Sequence, residues 1–511
     1  MNHRRALCWL LYVICGLTTT AQTEYRVGAE ATVSSGEHEP LWLNANKYGL
    51  SSLTKSNGYL RAGLFSDVAS DTAHVIRWGY GVDAAVATGF TSTLVVQQAY
   101  VEAQWKRVLL TAGSKEWPME LKNQELSSGS QAFGINARPI PQLRLGFDDY
   151  VAIPGTRGWL SVKGFCAYGK TTDDSWQKDF TQQQHRYTED ALFHSKAAYL
   201  RFGRRHVTFE LGMEVGCQFS GVTHLEADGQ LMRYKNRNGV KSFFNALVAG
   251  GSDFTDDGYD NTEGNHVGSW NMRLNIDEPS WQLGLYADQM FEDNSMMVHI
   301  AYNGWGERET AKQHTRSRYF VYDFKDGLLG AELRLKQATW LHTVVVEYLH
   351  TMYQGGPVYH DITYNIGEHI TGRDNYYNHN IYTGWQHWGQ VMGNPLYLSP
   401  LYNDDHAIEV YNNRFRAWHL GLAGDPLPCL HYRLLGTYQK GYGSYNNIYP
   451  DPRQGLSFLA EASYRFPVKS RLNGWSLRGA VGLDRGELRG DNVGLQLSVA
   501  KTGWLGKGKK N

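Results

Sequence analysis

Residues 207–220 read Val-Thr-Phe-Glu-Leu-Gly-Met-Glu-Val-Gly-Cys-Gln-Phe-Ser. Each odd-numbered position carries an apolar side chain, whereas each even-numbered position carries a glycine, a polar residue or a glutamate. Successive side chains of a β-strand point to opposite faces of the sheet. The segment is therefore predicted to form a strand with one apolar face and one polar face.

The same alternation recurs in other parts of the chain, at 95–105, 456–466 and 475–484. These runs reach the roughly 9 to 11 residues that a tilted strand needs to cross a bilayer. Strands of soluble β-sandwiches average about 5 to 6 residues. The length of the runs therefore favours a transmembrane β-barrel over a soluble sandwich.

The composition and the N-terminus indicate the compartment. Arg4 and Arg5 precede an apolar run over 6–17 and small residues that end at Ala21, a pattern typical of a cleaved secretory signal over 1–21. Nothing in the chain approaches the 18 or more consecutive apolar residues of a spanning helix. Because 50 basic residues balance 50 acidic ones, a nucleic-acid partner is not expected.

The predicted strands are joined by two kinds of connection. Some are tight, such as 203–205 and 472–474, and two are long and polar, at about 221–265 and 350–413. Outer-membrane barrels have short periplasmic turns and long extracellular loops. Within the first long segment, residues 239–248 have the apolar spacing of a short helix, with Val240, Phe243, Phe244 and Leu247 on one face.

A series of motifs is spread along almost the whole chain after residue 21. In order they are Gly113-Ser-Lys-Glu-Trp-Pro-Met-Glu-Leu-Lys-Asn-Gln-Glu-Leu-Ser-Ser-Gly129, Gly134-Ile-Asn-Ala-Arg-Pro-Ile-Pro141, Phe193-His-Ser-Lys196, Glu263-Gly-Asn-His-Val-Gly-Ser-Trp270, Phe291-Glu-Asp-Asn-Ser295, Gly372-Arg-Asp-Asn-Tyr-Tyr-Asn378, Gly384-Trp385 and Gly393-Asn-Pro-Leu396. Together and in this order they resemble the capsule assembly Wzi family.

This resemblance implies an all-β fold over 22–511, a single large transmembrane antiparallel β-barrel of about 18 strands. Its lumen would be closed by long loops and short helices. The implied role is to bind and anchor or organise capsular polysaccharide or exopolysaccharide at the surface of a Gram-negative bacterium, without catalysis. The expected partners are the polysaccharide, outer-membrane lipid and the polysaccharide export machinery.

Four charged residues in the motifs are candidates for an ion-pair network in the lumen. They are Lys115, Glu116, Arg138 and Arg373. Lumen-facing positions of such barrels are polar, so these side chains are predicted to hold plug segments against the wall. Direct contact with glycan is the alternative.

The segment 350–413 contains the candidate polysaccharide site. Aromatic faces stack on sugar C–H groups, while carboxylates and amides accept and donate hydrogen bonds to hydroxyls. Trp385 and Trp388 are expected to be exposed. The alternative is that the aromatic residues form the core of the plug itself. The candidate residues are Asp374, Tyr376, Tyr377, Asn378, Trp385 and Trp388.

No pattern in the chain points to an enzyme, a cofactor or a metal site. Neighbours in a strand point in opposite directions, which makes Glu292 and Asp293 improbable as a glycosidase pair. Ser127, Ser128 and Ser130 lack a Gly-x-Ser-x-Gly elbow, and the 19 histidines show no HExxH spacing. The cysteines that remain after the signal are Cys166, Cys217 and Cys429; their spacing suggests buried thiols, and pairing stays open.

Two other function classes compete with polysaccharide anchoring. The alternation supports a diffusion channel or transporter equally well, and an open lumen would favour that class. An outer-membrane hydrolase or acyltransferase is disfavoured because the nucleophile, acid–base and metal patterns are missing.

Overall fold

A computed structural model of the protein describes residues 22–72, 74–227, 230–251, 253–255, 258–260, 262–293, 300–305, 309, 314–319, 325–360 and 369–505. The predicted signal over 1–21 lies outside the described residues. The main feature is a closed antiparallel sheet of 18 strands. The predicted barrel and its strand number are confirmed.

We number the barrel strands β1 to β18 along the chain. Strands β1 to β6 are Thr23–Ser35, Ser56–Ser66, Ile76–Thr88, Leu94–Trp105, Val108–Ser114 and Gln142–Phe147. Strands β7 to β12 are Leu160–Lys170, Leu192–Arg204, Val207–Phe219, Asn265–Asp277, Trp281–Glu292 and Gly327–Leu335. Strands β13 to β18 are Thr343–His350, Phe415–Leu427, Leu430–Gly443, Ile448–Arg465, Trp475–Gly486 and Asn492–Leu505.

Each strand pairs with its neighbours in the chain, and the last strand closes the sheet on the first. The β1–β18 register runs from Thr23 opposite Leu505 to Ser35 opposite Val493. A two-residue strand, Val151–Ala152, extends β6 along β7. Closure leaves no unpaired sheet edge, which is the condition for a sheet to lie in lipid.

The two faces of β9 show which side of the strand points out of the barrel and which points into the lumen. On the apolar face, Val207 is 50% exposed, while Glu214 on the polar face is 1% exposed. Large apolar side chains on β2 and β18, such as Leu60 and Leu497, are also exposed. A soluble protein would bury its apolar face, so this inverted arrangement is the one expected for a barrel with lipid outside and a polar lumen.

The connections divide the barrel into two rims. We call the end that carries the shorter connections and both described termini the turn rim; its connections are 67–75, 106–107, 148–159, 205–206, 278–280, 336–342, 428–429 and 466–474. We call the other end the loop rim; its connections are 36–55, 89–93, 115–141, 171–191, 220–264, 293–326, 351–414, 444–447 and 487–491.

Helices are few and short. The α-helices are α1, Leu41–Asn44; α2, Asp174–Phe180; and α3, Val240–Val248. The last is the helix predicted at 239–248. Among the described residues, no helix has the length and apolar character to cross a membrane. Within the described ranges, 3₁₀ turns lie at Val68–Ser70 and Pro400–Tyr402.

Short strands lie outside the barrel sheet and belong to the long connections. Tyr187–Glu189, Val222–Ala227 and Gln230–Lys235 form a three-stranded sheet. Two-stranded units in the described part of the chain are Asp253–Thr255 with Gly258–Asp260, Ile300–Trp305 with His314–Tyr319, Gly355–His360 with His369–Arg373, and Gln386–His387 with Gln390–Val391.

Three loop-rim segments, 36–55, 115–141 and 374–413, fold into the lumen, and we call them the plug. Their apolar side chains, such as Leu43, Leu126 and Trp385, form one buried core with inward-facing residues of the wall. The wall residues include Val345 of β13 and Leu435 of β15. The lumen is thus packed with protein across its width. The predicted closure by loops and short helices is confirmed.

Polar contacts fix the plug to the wall. Lys122 of the plug and Asp288 of β11 form an ion pair of 2.6 Å with both side chains buried. Glu347 of β13 accepts hydrogen bonds from Ser127 Oγ (2.6 Å) and from the backbone N–H of Ser128 (2.8 Å). Because buried carboxylates must be paired, these contacts hold the plug in one position.

The cysteines in the described part of the chain are free thiols. Cys217 is buried where α3 covers the outer wall, in contact with Phe219 and Ala246. Cys166 and Cys429 are half-buried.

Candidate functional site

Two of the four predicted network residues lie between the plug and the wall. Lys115 Nζ is 2.7 Å from Glu102 Oε1 of β4. Glu116 Oε1 is 3.0 Å from Arg61 Nη2 of β2 and accepts a hydrogen bond of 2.8 Å from Gln97 Nε2. The structure thus brings Lys115 and Glu116 to inward-facing partners on β2 and β4.

Arg138 and Arg373 lie in different surroundings. The Arg138 guanidinium lies 4.4 Å from the centre of the Trp388 ring and donates hydrogen bonds to Thr91 Oγ1 (2.7 Å) and Ser92 Oγ (3.0 Å). Burial lowers the pKa of Arg138 to about 10, a value at which the group is still charged at neutral pH. Arg373 is exposed at the loop rim, 5.1 Å from the Tyr445 ring, so it lies outside the lumen.

The structure buries most of the candidate aromatic residues. Tyr376, Tyr377 and Trp385 are each 0% exposed. Trp385 Nε1 donates to Ala132 O at 2.8 Å, and its ring packs on Phe133 and Phe193. The expectation that Trp385 is exposed is wrong, because the plug folds back on itself and uses this ring as its own core.

The remaining candidates are partly accessible. Trp388 is half-buried, with its Nε1 donating to Thr172 Oγ1 at 3.2 Å. Asn378 Nδ2 donates to Val410 O at 3.0 Å, which ties together two parts of the plug. Asp374 is half-buried and its backbone N–H donates to Gln354 O. Of the six candidates, Trp388 therefore offers the largest ring that a ligand from solution could reach.

A concave surface at the loop rim gathers polar side chains from three connections, and we call it the rim cleft. It consists of two adjoining cavities of about 260 and 340 Å³ that share Asn380. Its lining residues are His185, Arg186, Leu225, Glu226, Tyr234, Asn236, Arg237, Thr262, Glu263, Gly264, His379, Asn380, Ile381, Tyr382, Ala407, Ile408 and Glu409.

Arg186 links the sides of the rim cleft. Its Nη1 donates to Asn380 O at 3.0 Å, and its Nη2 lies 3.5 Å from Glu409 Oε1. Across the same cavity, His185 Nδ1 lies 3.9 Å from Glu226 Oε2. Arg186, Asn380, Glu226 and Glu409 therefore line one cavity that offers both hydrogen-bond donors and acceptors.

The loop 379–382 is held rigidly beside this space. His379 Nδ1 accepts the backbone N–H groups of Ile381 (3.0 Å) and Tyr382 (3.2 Å). Burial, with Arg186 nearby, lowers the pKa of His379 to about 4. The imidazole is therefore neutral at neutral pH, as its acceptor role requires. Tyr382 Oη donates to Ser220 O at 3.3 Å.

Sequence reasoning missed most of the rim cleft. Asn380 and Tyr382 lie in the predicted aromatic segment, but Arg186, Tyr234 and Glu409 were not candidates. No motif marks them, because they belong to separate connections that meet only in the folded barrel.

Ser127, Ser128, Ser130 and Glu292, which lack a catalytic pattern in the sequence, form polar contacts between the plug and the wall. Ser127 and Ser128 bind Glu347, as described above. Ser130 Oγ lies 3.2 Å from Asp288 Oδ2, and Glu292 accepts the backbone N–H of Tyr377 at 2.7 Å. These contacts link the plug to the wall.

Comparisons with known proteins agree with the fold. No protein-family model and no curated protein sequence matches the chain. Among solved structures, the chain is similar to Wzi, an outer-membrane protein involved in group 1 capsule assembly in Escherichia coli and described as a carbohydrate-binding β-barrel: identity is 13%, the TM-score 0.52, and the match covers 97% of this chain and 87% of that chain.

Two structures from Pseudomonas aeruginosa are similar at lower scores. OccK3 is 11% identical with a TM-score of 0.45, and OprD is 10% identical with a TM-score of 0.44; each match covers 95% of this chain and 96% of that chain.

The closed barrel and its apolar exterior define the class: the chain is an outer-membrane β-barrel protein of the Gram-negative type. Within that class it is a plugged barrel of 18 strands whose fold is similar to that of Wzi.

Proposed function

We propose that this protein binds capsular polysaccharide or exopolysaccharide at the cell surface, without catalysis, and that the rim cleft contacts the polymer. The observation that carries the proposal is the composition of this cleft. Tyr234 supplies a half-exposed ring, Asn380 an exposed amide, and Arg186 with Glu409 a charged pair. Sugars present both C–H faces and hydroxyls, which is the pattern that rings, amides and carboxylates match.

The packed plug supports binding over free diffusion. Plug segments contact inward-facing residues of β11, β13 and β15, for instance at Asp288, Glu347 and Thr437. A route through the barrel would require these buried contacts to break. A polymer held at the loop rim requires no such change.

The description of Wzi as a carbohydrate-binding barrel supports the same proposal. At 13% identity the likeness concerns the fold, so the ligand is inferred from the chemistry of the rim cleft. Anchoring or organising the polymer follows from binding on a membrane-embedded barrel. Contact with the export machinery is a further prediction.

The direct test is binding of the host's purified surface polysaccharide to the barrel in detergent, measured by calorimetry. Tyr234→Ala and Asn380→Ala should each weaken binding about tenfold, since one stacking or hydrogen-bonding contact contributes about 1.4 kcal/mol. Tyr353→Ala is the matched control, because Tyr353 is a comparably exposed tyrosine of a loop-rim connection outside the cleft lining. Trp388→Ala tests whether the partly accessible ring of segment 350–413 also contributes to binding.

In cells, deletion of the gene should release polymer into the medium while total synthesis is unchanged. Complementation with Tyr353→Ala should restore attachment, and complementation with a Tyr234→Ala/Asn380→Ala double variant should not. Normal attachment in the deletion strain combined with lower solute uptake would reject the proposal in favour of a transporter. Equal binding by the wild type and the double variant would exclude the rim cleft.

A further inference from the structure

A cluster of three residues of metal-binding types, two histidines and one aspartate, lies at the turn rim, far from the rim cleft. His342 ends the 336–342 connection, Asp425 lies near the end of β14, and His431 near the start of β15. His342 Nε2 is 3.1 Å from Asp425 Oδ2, and His431 Nδ1 is 2.8 Å from Asp425 Oδ1. One nitrogen of each imidazole therefore faces the same carboxylate.

We propose that His342, Asp425 and His431 form a binding site for a divalent transition-metal ion of the zinc class. The candidate ligand atoms all lie within 4.8 Å of one another. Tetrahedral zinc with bonds of about 2.0 to 2.1 Å separates its ligand atoms by about 3.3 Å. The two nitrogen–oxygen spacings of 3.1 and 2.8 Å are near that value, and rotation of the side chains would bring both imidazoles and the carboxylate around one ion.

The second nitrogen of each histidine lies near an oxygen, within hydrogen-bond geometry for His342 and at an ion-pair distance for His431. His431 Nε2 lies 3.3 Å from Glu125 Oε2 of the plug. His342 Nδ1 lies 2.7 Å from Thr343 Oγ1. Such partners orient metal-bound imidazoles and fix which nitrogen carries the proton. The cluster therefore has an inner set of ligands and an outer set that positions them.

The donor set and the position define the class of ion. Two imidazole nitrogens with one carboxylate suit Zn²⁺ and neighbouring first-row ions, whereas Ca²⁺ and Mg²⁺ prefer oxygen ligands. His431 and Glu125 line a vestibule of about 560 Å³, and Asp425 is largely exposed. The ion can therefore enter from solution, and three protein ligands leave a position for water.

A bound ion would join parts of the barrel that are distant in sequence. It would cross-link the ends of β14 and β15 to the 336–342 connection. Through the contact between His431 and Glu125, it would also restrain the plug segment 115–141 at the turn rim. The competing interpretation is a cluster of His431, Asp425 and Glu125 that holds no metal.

The test uses the full barrel in detergent after metal removal with a chelator. Titration with Co²⁺ should give one bound ion and a visible absorption band of tetrahedral or five-coordinate type, and Zn²⁺ should displace it. His342→Ala and His431→Ala should each weaken binding more than about tenfold, and Glu125→Gln about tenfold, since outer partners typically contribute 10- to 100-fold. His206→Ala is the control, because His206 is an exposed histidine of another turn-rim connection.

Folding of each variant is checked by the heat-dependent change in its electrophoretic mobility. If a histidine variant fails to fold, anomalous diffraction at the zinc edge from wild-type crystals locates the ion instead. Absence of stoichiometric binding to the wild type, an ion at another position, or equal binding by the wild type and a folded His342→Ala/His431→Ala double variant would overturn the proposal.

Discussion

Glu39, in plug segment 36–55, shows how burial changes the charge of a single residue. It is almost completely buried and accepts a hydrogen bond of 2.5 Å from Asn57 Nδ2. Burial raises its pKa to about 7, although Lys47 acts in the opposite direction. The folded state therefore binds a proton at Glu39 more tightly than the unfolded chain does.

We predict that Glu39→Gln stabilises the barrel at pH 8 by about 1 to 3 kcal/mol and has little effect at pH 4, because a shift of one pKa unit corresponds to 1.36 kcal/mol. The stabilisation that protonated Glu39 provides is complete below its unfolded pKa near 4.5 and is lost as the pH rises through about 7. Glutamine is neutral throughout. Urea unfolding in detergent at several pH values measures the difference.

Glu37→Gln is the control, because Glu37 is an exposed glutamate of the same plug segment. A Glu39→Gln variant that is less stable than the wild type at pH 8 would contradict the prediction.

At the scale of elements, helix α3 packs on the outer wall of the barrel through a narrow strip that includes Ser242, Asn245 and Ala246. Its apolar residues Val240 and Val248 are 77% and 66% exposed. Its backbone carbonyls accept hydrogen bonds from outward-facing wall side chains: Phe243 O from Tyr168 Oη at 2.8 Å, and Leu247 O from Lys196 Nζ. The lysine also complements the negative end of the helix dipole. The helix is thus fixed to the outer wall with its apolar side outward.

We expect this apolar side of α3 to contact the acyl chains of the outer membrane. A nitroxide at Val248→Cys in reconstituted vesicles should be more accessible to oxygen than to a water-soluble nickel reagent. The control is Glu487→Cys, an exposed position in the loop-rim connection 487–491 away from the helix, where the label should be more accessible to the nickel reagent than to oxygen. A label at 248 that is accessible mainly to the nickel reagent would place the helix in water and contradict the expectation.

At the scale of the whole molecule, the plug shares a buried core with the barrel wall, and we expect it to keep the barrel closed. The buried pair of Lys122 and Asp288 connects the plug to β11, and Asp288 also accepts the backbone N–H of Gln131 at 2.9 Å. Removal of one partner of a buried ion pair typically costs about 3 to 5 kcal/mol, because the other charge is left unpaired.

We predict that the wild-type barrel gives little conductance in planar bilayers, whereas Asp288→Ala gives intermittent openings as the plug loses its attachment. Asp190→Ala is the control, since it removes an exposed ion pair with Lys170 and should leave the barrel closed. Conductance of Asp288→Ala equal to that of the control would show that other contacts hold the plug.

The alternation of side chains along the sequence was sufficient to predict the strands and their two faces. In 207–220 the odd-numbered residues share one face of the strand and the even-numbered residues share the other. The apolar face and the polar face that contains the buried Glu210 and Glu214 therefore follow from the local pattern alone. The spacing of apolar residues likewise predicted α3. It could not show that α3 lies on the outer wall, since the same spacing suits a helix that packs on a protein core.

The tertiary structure alone decided which side chains meet. Trp385 and Trp388 are three positions apart, yet the plug buries the first and leaves the second partly accessible. Arg186, Tyr234 and Glu409 meet in the rim cleft, and His342 and His431 beside Asp425, because strand pairing brings their connections together. Periodicity records the environment of neighbours along the chain. Contacts between distant segments depend on barrel closure and on how the loops fold into the lumen.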